Sequence, residues 1–540
     1  MKLAAFLAGL SLWFAASSGR CDDRSLRNIV DEEVQVVWRA QQVAPAPRTT
    51  DAEFLRRVSL DLIGVIPSWS ETVAFLDDPA PEKRLRIIDQ LLADPRYAQH
   101  QTDVWDQVLF GRNPPGYDTD KRTGIQNWLN RQFAENVPYD QWARTLLKAT
   151  GNSVEEGPPI YFAQYRSQPE DAAEAITQTF LGIQLQCARC HDHPFESWSQ
   201  KDFYGMAAFF ARLQIVGVGK KDNLTMYAVA ENSTGDVLFT GRADEQQPGK
   251  KGDPVKPKFL LGDDLAEPPL PEGFQEVKFE ENKLPPDPLF SRKNQLADWI
   301  TRPDNRFFAP AIANRLWAQF MGRGLVHPIT NMSPANKPSI PHLANALAQS
   351  VVAHHFDLKW YIRELISSDT YQLSSRGGDA SPLPQWYQSG RVRPLTAEEL
   401  NDSWRAAAWF EATEQFAKLP FPKNRFHPVI RDYMIMFFGT PNNGTGDFQG
   451  GLHEHLFVNN GPIASVISSG KGSLADWLST TDAPLEKRIE RIYLSVLTRR
   501  PTPEETASML EFVTPGKGEP LRWQEVVWAL MSGSEFRFNH

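Results

Sequence analysis

The chain has 540 residues and a net charge of −9, with 57 Lys and Arg against 66 Asp and Glu; 41% of it is hydrophobic and 23% charged. This is globular composition, long enough for more than one core, and it excludes a disordered chain. Without long runs of one sign there is no basic footprint, so neither nucleic acid nor an anionic membrane surface is a main partner.

The first residues read as an export signal over 1–20: Lys2 supplies the positive end, Leu3 to Ala16 the apolar run, and Ser17, Ser18 and Gly19 the small residues before cleavage. The rest of the chain is then extracytoplasmic, periplasmic or secreted, in an oxidising compartment. The run is too short, and too close to Arg20, Asp22 and Asp23, for a membrane span, and no span is expected in the mature chain. Arg20 stands where a lipidation signal carries a small residue, so no lipid anchor is expected at Cys21.

From 25 to 215 the pattern is helical. Phe54, Leu55, Val58 and Leu62 form an i, i+3/i+4 stripe that Gly64 and Pro67 end, and Ser68 with Glu71 forms a capping box for the next helix. Similar boxes stand at Ser167 with Glu170, Thr396 with Glu399 and Thr502 with Glu505. Over 216–286 the texture changes. Tyr227 to Ala230 and Val237 to Thr240 flank the turn-rich Asn232 to Asp236 and predict a hairpin; Lys258 to Leu261 predicts a short strand, and a Pro-rich linker follows. From 287 to 540 helices return, at about Lys293 to Thr301, Ala309 to Met321, Pro341 to Ala353, Leu358 to Ile366, Ala397 to Ala417, Ile463 to Leu478, Leu485 to Thr498 and Trp523 to Ser532. The expected fold is mainly α: two helical domains joined by a small β-containing insert.

Chemistry concentrates in Cys187-Ala188-Arg189-Cys190-His191, followed by Asp192-His193-Pro194, in a chain with three cysteines. Two thiols three residues apart with imidazole directly after the second is the arrangement that attaches haem c: the thiols bond the porphyrin, and the histidine ligates iron. Ile176, Phe180, Ile183, Cys187 and Cys190 step by four and three residues, so a helix continuing from Ser167 places both thiols on its apolar stripe. Three other readings stay open. Cys187, Cys190 and His191 or His193 could hold zinc or iron; the two thiols could form a redox-active or structural disulfide; or they could simply pack. His193 suits orienting His191 through a hydrogen bond better than ligation from the opposite face. Met206 is the nearest thioether for the sixth iron position, although methionine in such an apolar run is more often core filler. Weaker signals are His453-Glu454-His455 as a metal pair and Arg315 as an anion binder or buried ion-pair partner.

The segments Phe54 to Gly64 and Leu181 to Phe195 resemble the planctomycete cytochrome-c-like domain family, a domain of unknown function. Asn314 to Leu325 and the ending Glu535 to His540 resemble its usual C-terminal partner domain, also of unknown function. The resemblance implies secretion and a link to haem c, with no established reaction. Relatives often carry cysteines in the loop corresponding to Gly439 to Gly451, where this chain has none. The expected function is a secreted haem c protein in electron transfer or redox catalysis, with an unknown redox partner. The alternative is a haem-free binding or polymer-processing protein whose Cys/His cluster holds a metal or a disulfide.

Overall fold

A computed structural model describes residues 24–540 except 112–122, 154–155, 166–167, 195, 222–223, 240–251, 281–282, 285, 379–382, 409–455, 457–471 and 517. The export signal, Cys21, the Ser167 cap, the Gly439 to Gly451 loop, the His453 to His455 pair and parts of the expected 397–417 and 463–478 helices lie outside the described residues. What is described is mainly α, with one three-stranded and two two-stranded sheets.

Local chemistry sets most helix boundaries. Both halves of the capping box are made at Ser68 with Glu71, at Thr502 with Glu505 and at Thr396 with Glu399, so each helix begins where its first free N–H groups find side-chain acceptors. The Pro341–Ala353 and Leu358–Ile366 helices stand at the bounds their sequence predicts, and Arg292–Ile300, Phe308–Met321 and Leu485–Val496 lie within two residues of theirs.

The insert differs from its expected hairpin. Leu224–Glu231 pairs antiparallel with the preceding strand Leu213–Lys221, and its other edge takes Gly151–Asn152; Val237–Leu238 pairs with Pro254–Val255 instead. The physical reason lies at the turn: the Ser233 and Thr234 N–H groups donate to the Glu276 carboxylate (3.1 and 2.8 Å), which ties that turn to a distant loop instead of closing it as a hairpin. Lys258 to Leu261 forms no strand, only an isolated bridge from Lys258 to Asp264.

Among the described residues, two hydrophobic cores form. The larger runs from Leu26 to Tyr387 and so draws on helices from both sides of the insert; the smaller gathers residues 395–536 together with Leu60 and Ile66. The Asp51–Ile63 helix lies between them. Phe54, Leu55, Val58 and Leu62 enter the larger core as their spacing predicts, yet every residue from Phe54 to Ile63 is buried, including Arg56, Arg57, Ser59 and Asp61.

Those buried charges are paired. Asp61 accepts from Arg391 and Arg393 (3.0 Å each), from Asn539 Nδ2 (2.8 Å) and from the Tyr371 hydroxyl (2.9 Å), and Arg393 also donates to Glu399. Arg56 donates to the Phe536 and Val496 carbonyls, and Arg57 to those of Tyr371 and Leu373. Burial alone would raise the Asp61 pKa, but the Arg391 and Arg393 charges and the Tyr371 hydrogen bond hold it below the ordinary aspartate value. A carboxylate with a depressed folded pKa contributes stability that is present above its unfolded pKa and lost as pH falls through the folded one. Asp61→Asn removes the charge that compensates Arg391, and urea denaturation at neutral pH should show a loss of about 3–5 kcal/mol. The gap between wild type and variant should close as the measurement moves to acid; a constant gap would contradict the linkage.

Candidate functional site

The segment leading to the thiols does not remain one α-helix. Pro169–Ile176 passes into a π-helical turn, Thr177–Leu181, and stops at Gly182, whose φ of +67° places it in the left-handed region. A Cβ on Gly182 would also stand 2.8 Å from Met332 Sδ, so both the backbone and the packing favour glycine here. Beyond it, Gln186–Arg189 forms a single 3-10 turn.

That change of pitch corrects the apolar-stripe expectation for the thiols. Leu185 and Ala188 take the buried positions, while Cys187 and Cys190 are exposed and unbridged. Cys187 lies within the 3-10 turn and Cys190 directly after it, and both are exposed to solvent.

The turn is pinned from below. The Arg189 carbonyl accepts from Gln200 Nε2 (3.3 Å) and the Tyr204 hydroxyl (3.2 Å), and Asp192 Oδ1 accepts from the Gln200 N–H (2.8 Å). Gln200 and Tyr204 belong to the Gln200–Ala207 helix, which starts at a capping box of Ser199 with Asp202, and both are buried. Arg189 reaches Asp171 (3.0 Å) on the surface.

The two histidines have opposite hydrogen-bond roles. His191 Nδ1 lies 2.8 Å from the Asp192 carbonyl oxygen, which can only accept. Nδ1 therefore donates, and in the neutral ring the lone pair sits on Nε2, the arrangement in which imidazole ligates a metal. His193 Nδ1 instead accepts from the Glu196 N–H (3.0 Å), so in the neutral ring the proton sits on Nε2 and the Nδ1 lone pair is spent. Met206 is fully buried in the larger core. Among the described residues no three His, Cys, Asp or Glu side chains converge to hold a metal ion.

A second stretch of chain walls the motif. Met332 N–H donates to the Gly182 carbonyl (2.8 Å), Gln184 Nε2 to Thr330 Oγ1 (2.9 Å), and Ser333 bonds the Glu196 carboxylate. Arg315 is buried and donates to the Thr179 carbonyl in the π-turn (3.2 Å), and Asn314 clasps both backbone groups of Val326. Residues 29–215 match the family model PSCyt2, a protein of unknown function (DUF1549), and residues 292–423 match PSD1, a protein of unknown function (DUF1553). The chain carries these two domains in series. No curated protein and no solved structure matches it.

The PSCyt2 domain thus presents the Cys-x-x-Cys-His turn, and the PSD1 domain backs it through residues 315 and 330–333. Sequence reasoning singled out Arg315 as an anion binder or buried ion-pair partner, not for this bond to the Thr179 carbonyl, and it missed Met332 and the Asp61 cluster. Charges inside an otherwise apolar helix, at Arg56, Arg57 and Asp61, were the available signal for the cluster; Met332 had none. In haem-free protein under reducing conditions, both Cys187 and Cys190 should react with a thiol reagent without denaturant. Labelling mapped to the residue that finds Cys187 or Cys190 modified only after unfolding would contradict their exposure.

Proposed function

We propose that this chain is an extracytoplasmic haem c protein in electron transfer or redox catalysis. One observation carries the reading: Cys187 and Cys190 are both exposed and unbridged, and the next residue, His191, is exposed with Nδ1 bonded to the Asp192 carbonyl oxygen, which leaves Nε2 of the neutral ring for a ligand. Each thiol would add its S–H across a porphyrin vinyl group, and exposure leaves both within reach of the machinery that catalyses this. His191 would be the proximal ligand, its ring oriented by the Asp192 carbonyl. Haem c would supply a one-electron iron couple whose potential is tuned by axial ligands and burial. Gln200 and Tyr204 hold the turn, and His193, occupied by Glu196, braces the loop that follows. The signal-like residues 1–20 support export to a compartment where haem c is attached.

The test uses full-length protein made with a cytochrome c maturation system. Wild type should stain for haem on a denaturing gel, and Cys187→Ala with Cys190→Ala should not. His191→Ala should keep covalent haem with a shifted spectrum, because the lost imidazole sets the iron's axial field. His193→Ala should shift it less. Unstained wild type would turn the assignment toward a metal or disulfide at the same cysteines, and a staining double mutant would exclude this attachment site.

A further inference from the structure

Three helices near the end of the chain leave an opening between them. Glu504, Ser508 and Phe512, with Glu505 and Met509 beside them, recur every four residues and so share one face of the Pro503–Val513 helix. Val526 and Ala529 are likewise neighbours on the Pro520–Ser532 helix, and Tyr493 comes from Leu485–Val496. These residues line a cavity of about 460 Å³, within the size range of small-molecule sites. Ser508 and Ala529 carry short side chains, which leaves the space between the helices unfilled. The cavity lies outside the residues matched by either family model and is independent of the haem reading.

Its lining divides by chemistry. Val526 and Tyr493 belong to the smaller core, Met509 packs on it, and Phe512 stands exposed beside them, so the walls are apolar. Tyr493 is only 3% exposed, yet among the described residues its hydroxyl finds no hydrogen-bond partner. Burial, and then the Glu505 charge, push its pKa up to about 12, so the phenol is neutral at physiological pH and can both donate and accept. A ligand that bonds this hydroxyl relieves the cost of burying it without a partner. Three carboxylates also line the cavity. Glu505 is paired with Arg499 (2.7 Å), and Glu525 has Arg522 at 4.0 Å, where that guanidinium also lies over the Phe512 ring. Glu504 is exposed and has no ion-pair partner among the described residues.

We propose that this cavity binds a small organic amine: an apolar body against Met509, Phe512 and Val526, an ammonium group drawn to the unpaired Glu504, and a polar group bonded to the Tyr493 hydroxyl. Apolar walls alone would accept any apolar body. The surplus carboxylate selects a cation, and the unbonded phenol selects a ligand with a second polar group.

Tyramine has all three parts and serves as the probe, with phenethylamine, 4-ethylphenol and 3-(4-hydroxyphenyl)propionate lacking the hydroxyl, lacking the charge and reversing it. Isothermal titration of the full-length protein at neutral pH and low salt should show tyramine binding about fivefold tighter than 4-ethylphenol, and the propionate weakest. Added salt should erase the advantage of the amine. Glu504→Gln should bring tyramine to the level of 4-ethylphenol. Tyr493→Phe should weaken tyramine by roughly threefold to tenfold and leave phenethylamine unchanged. Ala529→Trp, at an exposed position, should keep native helicity and abolish binding of every probe by filling the space. The proposal is overturned if tyramine does not bind at millimolar concentration, if the propionate binds as tightly, or if Ala529→Trp leaves tyramine binding intact. A wild-type dimer that Ala529→Trp converts to monomer, with no tyramine binding, would overturn it in favour of an interface between copies of the chain.

Discussion

The buried charge of Asp61 is the constraint on which the arrangement of this molecule rests. A helix that passes between two hydrophobic cores has no solvent face, so its polar residues must find partners within the protein or cost several kcal/mol each. Asp61 finds Arg391, Arg393, Tyr371 and Asn539; Arg56 and Arg57 find carbonyls at Phe536, Val496, Tyr371 and Leu373. These partners come from three remote stretches of chain. The Asp51–Ile63 helix therefore fixes where the segment around 371–393 lies, and where the last residues, paired as Phe538–Asn539 with Arg393–Pro394, return.

The Cys-x-x-Cys-His turn follows a different logic. There the chain buries small and aliphatic residues, Ala188 and Leu185, and leaves the reactive ones outside. Two backbone devices accomplish it. The π-turn and the left-handed Gly182 end the regular helix before the thiols, and the 3-10 turn buries Ala188 while Cys187 and Cys190 stay exposed. A regular α-helix would have pushed the thiols toward the core that Phe180 and Ile176 occupy. Bonds from the buried Gln200 and Tyr204 to the Arg189 carbonyl then give an exposed loop a defined shape. The covering stretch from the PSD1 domain adds a wall that neither domain provides alone.

Much was legible in the sequence because it depends on residues close along the chain. Capping boxes at Ser68, Thr396 and Thr502, and the bounds of Pro341–Ala353 and Leu358–Ile366, follow from local hydrogen bonds and local apolar spacing. The Cys187, Cys190 and His191 grouping was legible for the same reason, since attachment and ligation by neighbouring residues leave a contiguous signature. The family resemblance likewise rested on contiguous motifs.

What only the tertiary structure decided depends on contacts between distant residues. Leu224–Glu231 could pair forward or backward on its own pattern, and Glu276, fastening the Asn232 to Asp236 turn, is part of why it pairs backward. Arg56, Arg57 and Asp61 are interior because remote segments around 371–393, Val496 and Phe536–Asn539 close over their helix. Gly182 could have continued a helix, but Met332, far along the chain, packs where its side chain would have been. The sequence by itself determined which residues can carry chemistry and where most helices begin and end; whether the thiols face solvent, which charges are buried, and which methionine stands at the motif were decided by packing between segments that local spacing does not encode.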